Sequence, residues 1–151
     1  MIKHIKCDIF ESGADVICHQ VNCQGVMGSG VAKQVREKYP WVYAEYKECC
    51  ELSGSMMLGG YQQVYIDEKR VILNIFSQDK FGYDGKCYTS YEALNESLKD
   101  IAETYSGKTI AIPYLMGCHR GGGDWNIVYK MIEEVFADFD GEVLICEYNG
   151  G

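Results

Sequence analysis

Apolar and polar positions along this chain switch between two periods, and the switches mark out its elements. Residues 2–7 alternate as a strand does, and Asp8 falls just past the end. Residues 16–21 form an almost continuous apolar run of strand length. Val31, Val35 and Tyr39 then recur every fourth residue, which predicts a helix that Pro40 stops. A second helix follows from Trp41, with Trp41, Tyr43, Tyr46, Cys49 and Leu52 on or near one face, and ends at Ser53-Gly54. Residues 61–66 and 70–76 read as strands joined by the polar turn Asp67-Glu68-Lys69, a hairpin. The polar, glycine-containing segment 77–89 carries Phe81, Tyr83 and Tyr88 and reads as an ordered surface loop. Ser90 caps a helix whose buried stripe is Leu94, Leu98 and Ile101. Residues 109–112 form a short strand, Asp124 opens a helix through Val128, Met131, Ile132 and Val135, and residues 142–147 are the last strand.

Strands alternating with helices predict an α/β sandwich around a mostly parallel sheet. In such sheets ligands lie beyond the C-terminal ends of the strands, where the path of the chain diverges. Asp8, the loop 22–30 and the loop 116–124 all follow strand ends. The pattern therefore puts them on one rim.

Composition narrows the class. A chain of 151 residues, 47% hydrophobic with two prolines and no internal repeat, fits one domain over residues 1–151. Charges interrupt the apolar pattern of residues 1–6, unlike a secretory signal, and no run approaches the length of a membrane span. A soluble, cytoplasmic protein without a membrane partner is the expectation. The eight cysteines show no Cys-x-x-Cys spacing, and Cys18 and Cys146 sit inside apolar runs. They read as reduced thiols and no metal is expected, the alternative being a site that joins Cys18, His19 or Cys23 to Cys118 or His119. A net charge of −8 disfavours general nucleic-acid binding but leaves room for a small anion held by backbone donors.

The stretch suited to that task is His19-Gln20-Val21-Asn22-Cys23-Gln24-Gly25-Val26-Met27-Gly28-Ser29-Gly30-Val31-Ala32. It runs from a strand end through a glycine-rich loop to a helix start, which turns N–H groups and the positive end of a helix dipole toward an anion. Its spacing is neither a P-loop nor the dinucleotide fingerprint. It resembles the first ligand loop of macrodomains, the ADP-ribose-binding fold, and more closely the branch with ADP-ribose-1″-phosphate phosphatases and terminal ADP-ribose protein glycohydrolases. Ile112-Pro113-Tyr114-Leu115-Met116-Gly117-Cys118-His119-Arg120-Gly121-Gly122-Gly123-Asp124-Trp125 is similar to that branch's second loop, and Lys6-Cys7-Asp8-Ile9-Phe10 to its opening acidic element. The resemblance implies a three-layer α/β/α sandwich with a mixed, mostly parallel six-stranded sheet. It also implies an ADP-ribose ligand and hydrolysis at the distal ribose without a cofactor.

Residue by residue, the resemblance has Asp8 with Ile9 receive the adenine, where the bare sequence offers a solvated strand-end carboxylate. Asn22 meets ribose hydroxyls near the reacting carbon or closes an Asx turn, roles that are compatible. Gly28, Ser29, Gly30 and Val31 admit the distal ribose and phosphates. Met116, Gly117, Cys118 and Gly121 form the second loop around them. Asp124 is catalytic by resemblance and a plain helix N-cap by local sequence. His119 is a candidate acid or base and Arg120 a phosphate clasp, unless both point to solvent from a loop tip. His19 reads as a core-rim residue. In the glycohydrolases a lysine follows the central strand and attacks as an amine; here Gln78 aligns with it, and Lys80 is two residues on.

The function read from these features is a hydrolase acting on ADP-ribose-1″-phosphate or on ADP-ribosyl esters of acidic side chains, with ADP-ribosylated protein as the larger partner. Asn22, His119 and Asp124 are its catalytic candidates. The rival is a non-catalytic reader of ADP-ribose, favoured by Gln78 in place of lysine. A third reading, an eraser of ADP-ribosylated nucleic acid, is opposed by the net charge.

Overall fold

In the computed structural model, which describes residues 1–148, the strands are β1 (Ile2–Lys6), β2 (Val16–Val21), β3 (Tyr61–Tyr65), β4 (Val71–Phe76), β5 (Thr109–Pro113) and β6 (Glu142–Glu147). The helices are α1 (Gly30–Lys38), α2 (Pro40–Ser53), α3 (Tyr91–Thr104) and α4 (Trp125–Val135), with short 3-10 turns at Ile9–Glu11 and Gly54–Met57. The strands form one six-stranded sheet in the order β1-β6-β5-β2-β4-β3, parallel throughout except for β3. β3 pairs antiparallel with β4 through a tight turn in which Asp67 Oδ1 accepts the N–H groups of Lys69 and Arg70.

Side-chain alternation builds the three expected layers. Ile17, Val21, Ile72 and Phe76 face α1 and α2, where they meet Val35, Val42 and Tyr46. Val16, Cys18, Leu73 and Ile75 face α3 and α4 and pack on Leu94, Leu98, Ile101, Val128 and Ile132. Strands buried on both faces read as continuous apolar runs, which is why β2 and β4 are so plain in the sequence.

The face of α2 matches the expected one in part. Its buried residues are Val42, Tyr46 and Cys50, spaced by four, while Trp41 is 46% and Leu52 80% exposed. Trp41 turns back over the sheet edge, donating its indole N–H to the carbonyl of Tyr65 and packing edge-on to Tyr39. Of the expected stripe, Tyr46 is fully buried and Tyr43 and Cys49 pack against the core from partly buried positions, while Val42 and Cys50 complete the buried period of four.

Two features of the sheet shape the region beyond its strand ends. β2 pairs with β5 at Val16↔Ile110 and Ile17↔Ala111, yet it stays paired with β4 as far as Val21↔Phe76. Beyond Ile17 and Ala111 the two central strands therefore part. A polar chain also crosses the face under α2. The His19 ring Nε2 lies 2.6 Å from Asn74 Oδ1, the Asn74 amide donates to Gln62 Oε1 at 3.0 Å, and Gln62 donates to the Glu45 carbonyl at 3.2 Å. Because Asn74 Nδ2 is spent on Gln62, its Oδ1 faces His19, and Nε2 carries the ring proton.

His19 is fully buried, and desolvation pushes its pKa from 6.5 down to about 4, against the weaker pull of the bond to Asn74. The unfolded chain thus binds a proton between pH 6.5 and 4 that the folded chain refuses, so stability is full above that window and falls as the pH drops through it. Urea denaturation should show a loss of about 3 kcal/mol between these limits. A flat profile there would mean that His19 is not buried as a neutral ring.

Candidate functional site

Where β2 and β5 part, a cavity of about 580 Å³ opens at the strand ends, as expected at a divergence of the chain path. His19 to Asn22 and the first glycine loop form one wall, and residues 113–117 with 119–121 form the other. Phe81, Gly82 and Tyr83 overhang it, and Tyr148 stands at its far end.

Asn22 anchors the first loop. Its Oδ1 accepts the N–H of Gln24 at 3.0 Å and the Tyr46 hydroxyl at 2.8 Å, and its amide donates to the Val26 carbonyl at 2.8 Å. This is the Asx turn, locked from beneath by a fully buried tyrosine whose hydroxyl also binds the Asn22 carbonyl at 2.7 Å. The loop ends at Ser29, which occupies the N-cap of α1 without a side-chain bond to its first turn. Gly30 follows at φ +59°, a conformation an L side chain rarely takes. The opening N–H groups of α1 thus have no side-chain cap, beside a cavity that Gly28, Ser29, Gly30 and Val31 help to line.

Gln20 anchors the second loop. Its amide nitrogen donates to Gln78 Oε1 and to Thr89 Oγ1, both at 2.9 Å, and its oxygen accepts the Ser77 hydroxyl at 2.7 Å. Thr89 passes its own proton to the Gly117 carbonyl at 2.7 Å. Four polar side chains from β2 and the segment 77–89 thereby hold the backbone at Gly117. Gly121 has to be glycine: a Cβ there would stand 2.4 Å from Thr89 Oγ1 and 2.6 Å from the Gly117 carbonyl oxygen. Two residues before Gly117, Leu115 sits at φ +64°, strained for a leucine and placed in the cavity wall.

The charge of the lining opposes that of the chain. Among the described residues that line the cavity, none is Asp, Glu or Lys, and Arg120 is the one full charge. Its guanidinium lies 4.6 Å from the centre of the Tyr83 ring, so the two loops meet over the mouth. His119 stands beside it, exposed.

The expected residues divide. Asn22, Gly28, Ser29, Gly30, Val31, Gln78, Met116, Gly117, His119, Arg120 and Gly121 line the cavity together. Asp8, Ile9, Cys118 and Asp124 stand outside the lining, each for a local reason. Asp8 Oδ1 caps the turn Ile9–Glu11 by accepting the N–H of Phe10 at 3.0 Å, and Ile9 is buried in the core beneath α1 and α2. Asp8 nonetheless leaves the sheet beside Tyr148, because the Cys7 N–H donates to the Glu147 carbonyl. The Cys118 thiol turns to the Met116 carbonyl, and burial pushes its pKa up to about 11. Asp124 is exposed, with its carboxylate accepting the N–H of Asn126 at 2.9 Å as the N-cap of α4. Lys80 is exposed and outside the lining, and its carbonyl accepts the Gln78 amide at 2.8 Å.

Sequence reasoning passed over Gln20, Tyr83 and Tyr148. Gln20 left a signal, as a lone amide inside an apolar strand run. Tyr83 and Tyr148 left none, since their place depends on how two loops and a strand end converge. Among the described residues no group of three or more His, Cys, Asp or Glu is arranged to hold a metal ion, and no helix is long and apolar enough to cross a membrane.

No protein-family profile matches the chain. Among curated proteins it is 28% identical over 154 residues to the DNA ADP-ribosyl glycohydrolase of Thermus aquaticus, covering 97% of this chain and 41% of that protein. The chain thus spans about two-fifths of the length of that relative. It is 29% identical over 143 residues to an uncharacterized 17.5 kDa protein of Enterobacteria phage T4, covering 88% of each. Over 60 residues, 38% of this chain and 34% of the other, it is 38% identical to the ADP-ribose 1″-phosphate phosphatase of Saccharomyces cerevisiae. Among solved structures the macrodomain of Thermus aquaticus DarG superposes with a TM-score of 0.78 at 26% identity, over 99% of this chain and 98% of that one. Thermosipho africanus DarTG in complex with ADP-ribose gives 0.81 at 21% identity, over 97% of this chain and 41% of that one.

The contacts around Gly121 yield a direct test. Gly121→Ala should push Thr89 from the Gly117 carbonyl and cost about 1–3 kcal/mol of stability by urea denaturation. Gly85→Ala, where a Cβ meets open space and the cost is that of its φ of +79° alone, is the matched control and should cost less.

Proposed function

The chain is a macrodomain, and from that premise we propose that it is a hydrolase acting at the distal ribose of an ADP-ribose derivative. The observation that carries this reading is the lining: a nucleotide-sized cavity free of carboxylates, on a chain of net charge −8, between two glycine loops and an uncapped helix start. Such a site accepts a diphosphate on backbone N–H groups and one helix dipole. In the proposed pose the diphosphate lies between residues 28–31 and 117–121, and the adenine lies at the end marked by Tyr148 and Asp8. The distal ribose faces Asn22, Gln20 and Gln78.

The reaction consumes one water and releases ADP-ribose with either inorganic phosphate or the freed carboxylic acid of an ester. Arg120 offsets the charge of the departing anion, and His119 stands beside it as a candidate acid or base. Asn22, rigid in its turn, fixes the ribose. Gln78 has no amine with which to attack an opened sugar, and Lys80 stands outside the cavity, so the route is non-covalent. With its carboxylate committed to Asn126, Asp124 acts as the cap that holds the end of the loop bearing His119 and Arg120. In this reading residues 1–151 work as one domain. Eight free cysteines fit a reducing, cytoplasmic setting, with ADP-ribosylated protein as a macromolecular partner.

A second reading, removal of ADP-ribose from DNA, draws support from the name of the Thermus aquaticus relative. Phe81 and Tyr83, 41% and 66% exposed, also stand with Arg120 at the mouth, and exposed aromatic rings beside a cation suit an unpaired base.

Incubation with ADP-ribose-1″-phosphate, a glutamate-ADP-ribosylated protein and an ADP-ribosylated single-stranded oligonucleotide separates these readings. Release of phosphate or of ADP-ribose from protein is the expected result. Cleavage of the oligonucleotide alone selects the second reading, and binding without turnover of any substrate makes the protein a reader. Lys80→Ala should leave the rate unchanged, and borohydride during turnover should trap no protein–sugar adduct. Asp124→Asn should keep both rate and stability, whereas Asp124→Ala should lose about 1 kcal/mol of stability with its cap. A dead but stable Asp124→Asn protein would return the carboxylate to the chemistry.

A further inference from the structure

Among the described residues every positive φ but one belongs to glycine, and the exception is Leu115 at +64°. The Met116 N–H donates to the Pro113 carbonyl at 3.0 Å and closes a four-residue turn in which Leu115 holds the third place. A turn with positive φ at that place alone is of type II, which calls for Gly or Asn there. A second such turn follows at once. The Cys118 N–H donates to the Leu115 carbonyl at 2.9 Å, with Gly117 in the third place at φ +76°. One of the two consecutive turns thus uses a glycine, and the other keeps a leucine that a left-handed backbone strains.

Core packing does not account for the leucine. Leu115 is 38% exposed and belongs to neither of the two apolar clusters that fill the layers. It does line the cavity, just past the end of β5, together with Pro113 and Tyr114. An apolar side chain that is strained and uncovered in the free protein, in the wall of a cavity, is one that a ligand can cover. The chemistry of the side chain then selects the part of the ligand. Leucine offers no hydrogen bond, so a phosphate or a sugar hydroxyl brought against it loses water without a replacement. The base is the part of an ADP-ribose derivative that has a flat apolar face, and covering the isobutyl group with that face removes both from water.

We propose that Leu115 packs on the face of the nucleobase, which makes it a specificity-determining residue of the cavity, and that the strained turn persists because it places this side chain. This rests on the ADP-ribose reading above. Backbone and ligand then make opposite demands at one position. Asn fits the left-handed backbone better than leucine but gives the base no apolar surface, whereas Met keeps that surface.

The test uses the whole chain with ¹³C-labelled leucine methyl groups, the Leu115 pair assigned by its loss in Leu115→Met. Calorimetry in parallel reports whether ligand binds. Saturating ADP-ribose should move the Leu115 methyl signals upfield, as for groups over an aromatic face, and give cross-relaxation to H2 or H8 of the adenine. Leu115→Met should bind ADP-ribose within about twofold of the unaltered chain, because the swap conserves apolar volume. Leu115→Asn should bind it about tenfold more weakly, the scale of one apolar side chain partly covered. Methyl signals that stay put while calorimetry shows ADP-ribose bound overturn the proposal and spare the functional reading. So do methyl contacts to sugar protons alone, an unaltered affinity in Leu115→Asn, or an equal loss in Leu115→Met. If Leu115→Asn does not fold, the spectra of the unaltered chain decide alone. Absence of any ADP-ribose binding overturns the functional reading and this inference together.

Discussion

β2 and β5 are hydrogen-bonded at two residue pairs and then separate, and the site exists because of that separation. Strands that stayed paired to their ends would leave no space between the central pair, and both loops would pass over a closed sheet. Once they part, each strand needs something else to hold its last residues. β2 remains against β4 to Val21↔Phe76, and β5 against β6 to Pro113↔Cys146, so the gap widens between two supported edges. The cavity is thus a property of the sheet, and the loops decorate it.

Two amides on β2 and at its end then fasten the two loops to that sheet. Asn22 closes the first loop on itself and is braced by the buried Tyr46. Gln20 ties Ser77, Gln78 and Thr89 to the second loop at Gly117. Satisfied polar networks of this kind specify one backbone arrangement, because any shift leaves a buried group unpaired. The glycines complete the logic. At Gly121 the space a side chain would fill is occupied by Thr89 and the Gly117 carbonyl, so the second loop packs closely on itself and on Thr89.

Charge is distributed to the same end. The chain carries eight more acidic than basic residues, yet the cavity lining holds Arg120 and no carboxylate. Net charge governs long-range encounter with polyanions, and the lining governs what is held at contact distance. Two acidic residues that flank the site, Asp8 and Asp124, turn their carboxylates to backbone N–H groups at the turn Ile9–Glu11 and at α4. Helix starts attract such residues, and here that local bond draws them out of the lining.

Local pattern determined a great deal of this protein. Continuous apolar runs at 16–21 and 71–76 marked buried parallel strands, Asp67-Glu68-Lys69 marked the hairpin, Ser90 and Asp124 marked helix caps, and two glycine loops after strand ends marked the rim. These are interactions within a few residues, or burial on both faces of a strand, and composition and spacing record both. Tertiary structure alone decided the rest. Which residues of α2 are buried, the approach of Tyr83 to Arg120, the arrival of Tyr148 beside Asp8, and the burial of His19 Nδ1 without a partner all depend on where distant segments end up. His19 shows the difference most clearly. Its neighbours in the chain mark it as a core-rim residue, whereas only the fold brings Asn74, fifty-five positions away, to one ring nitrogen and leaves the other without a partner.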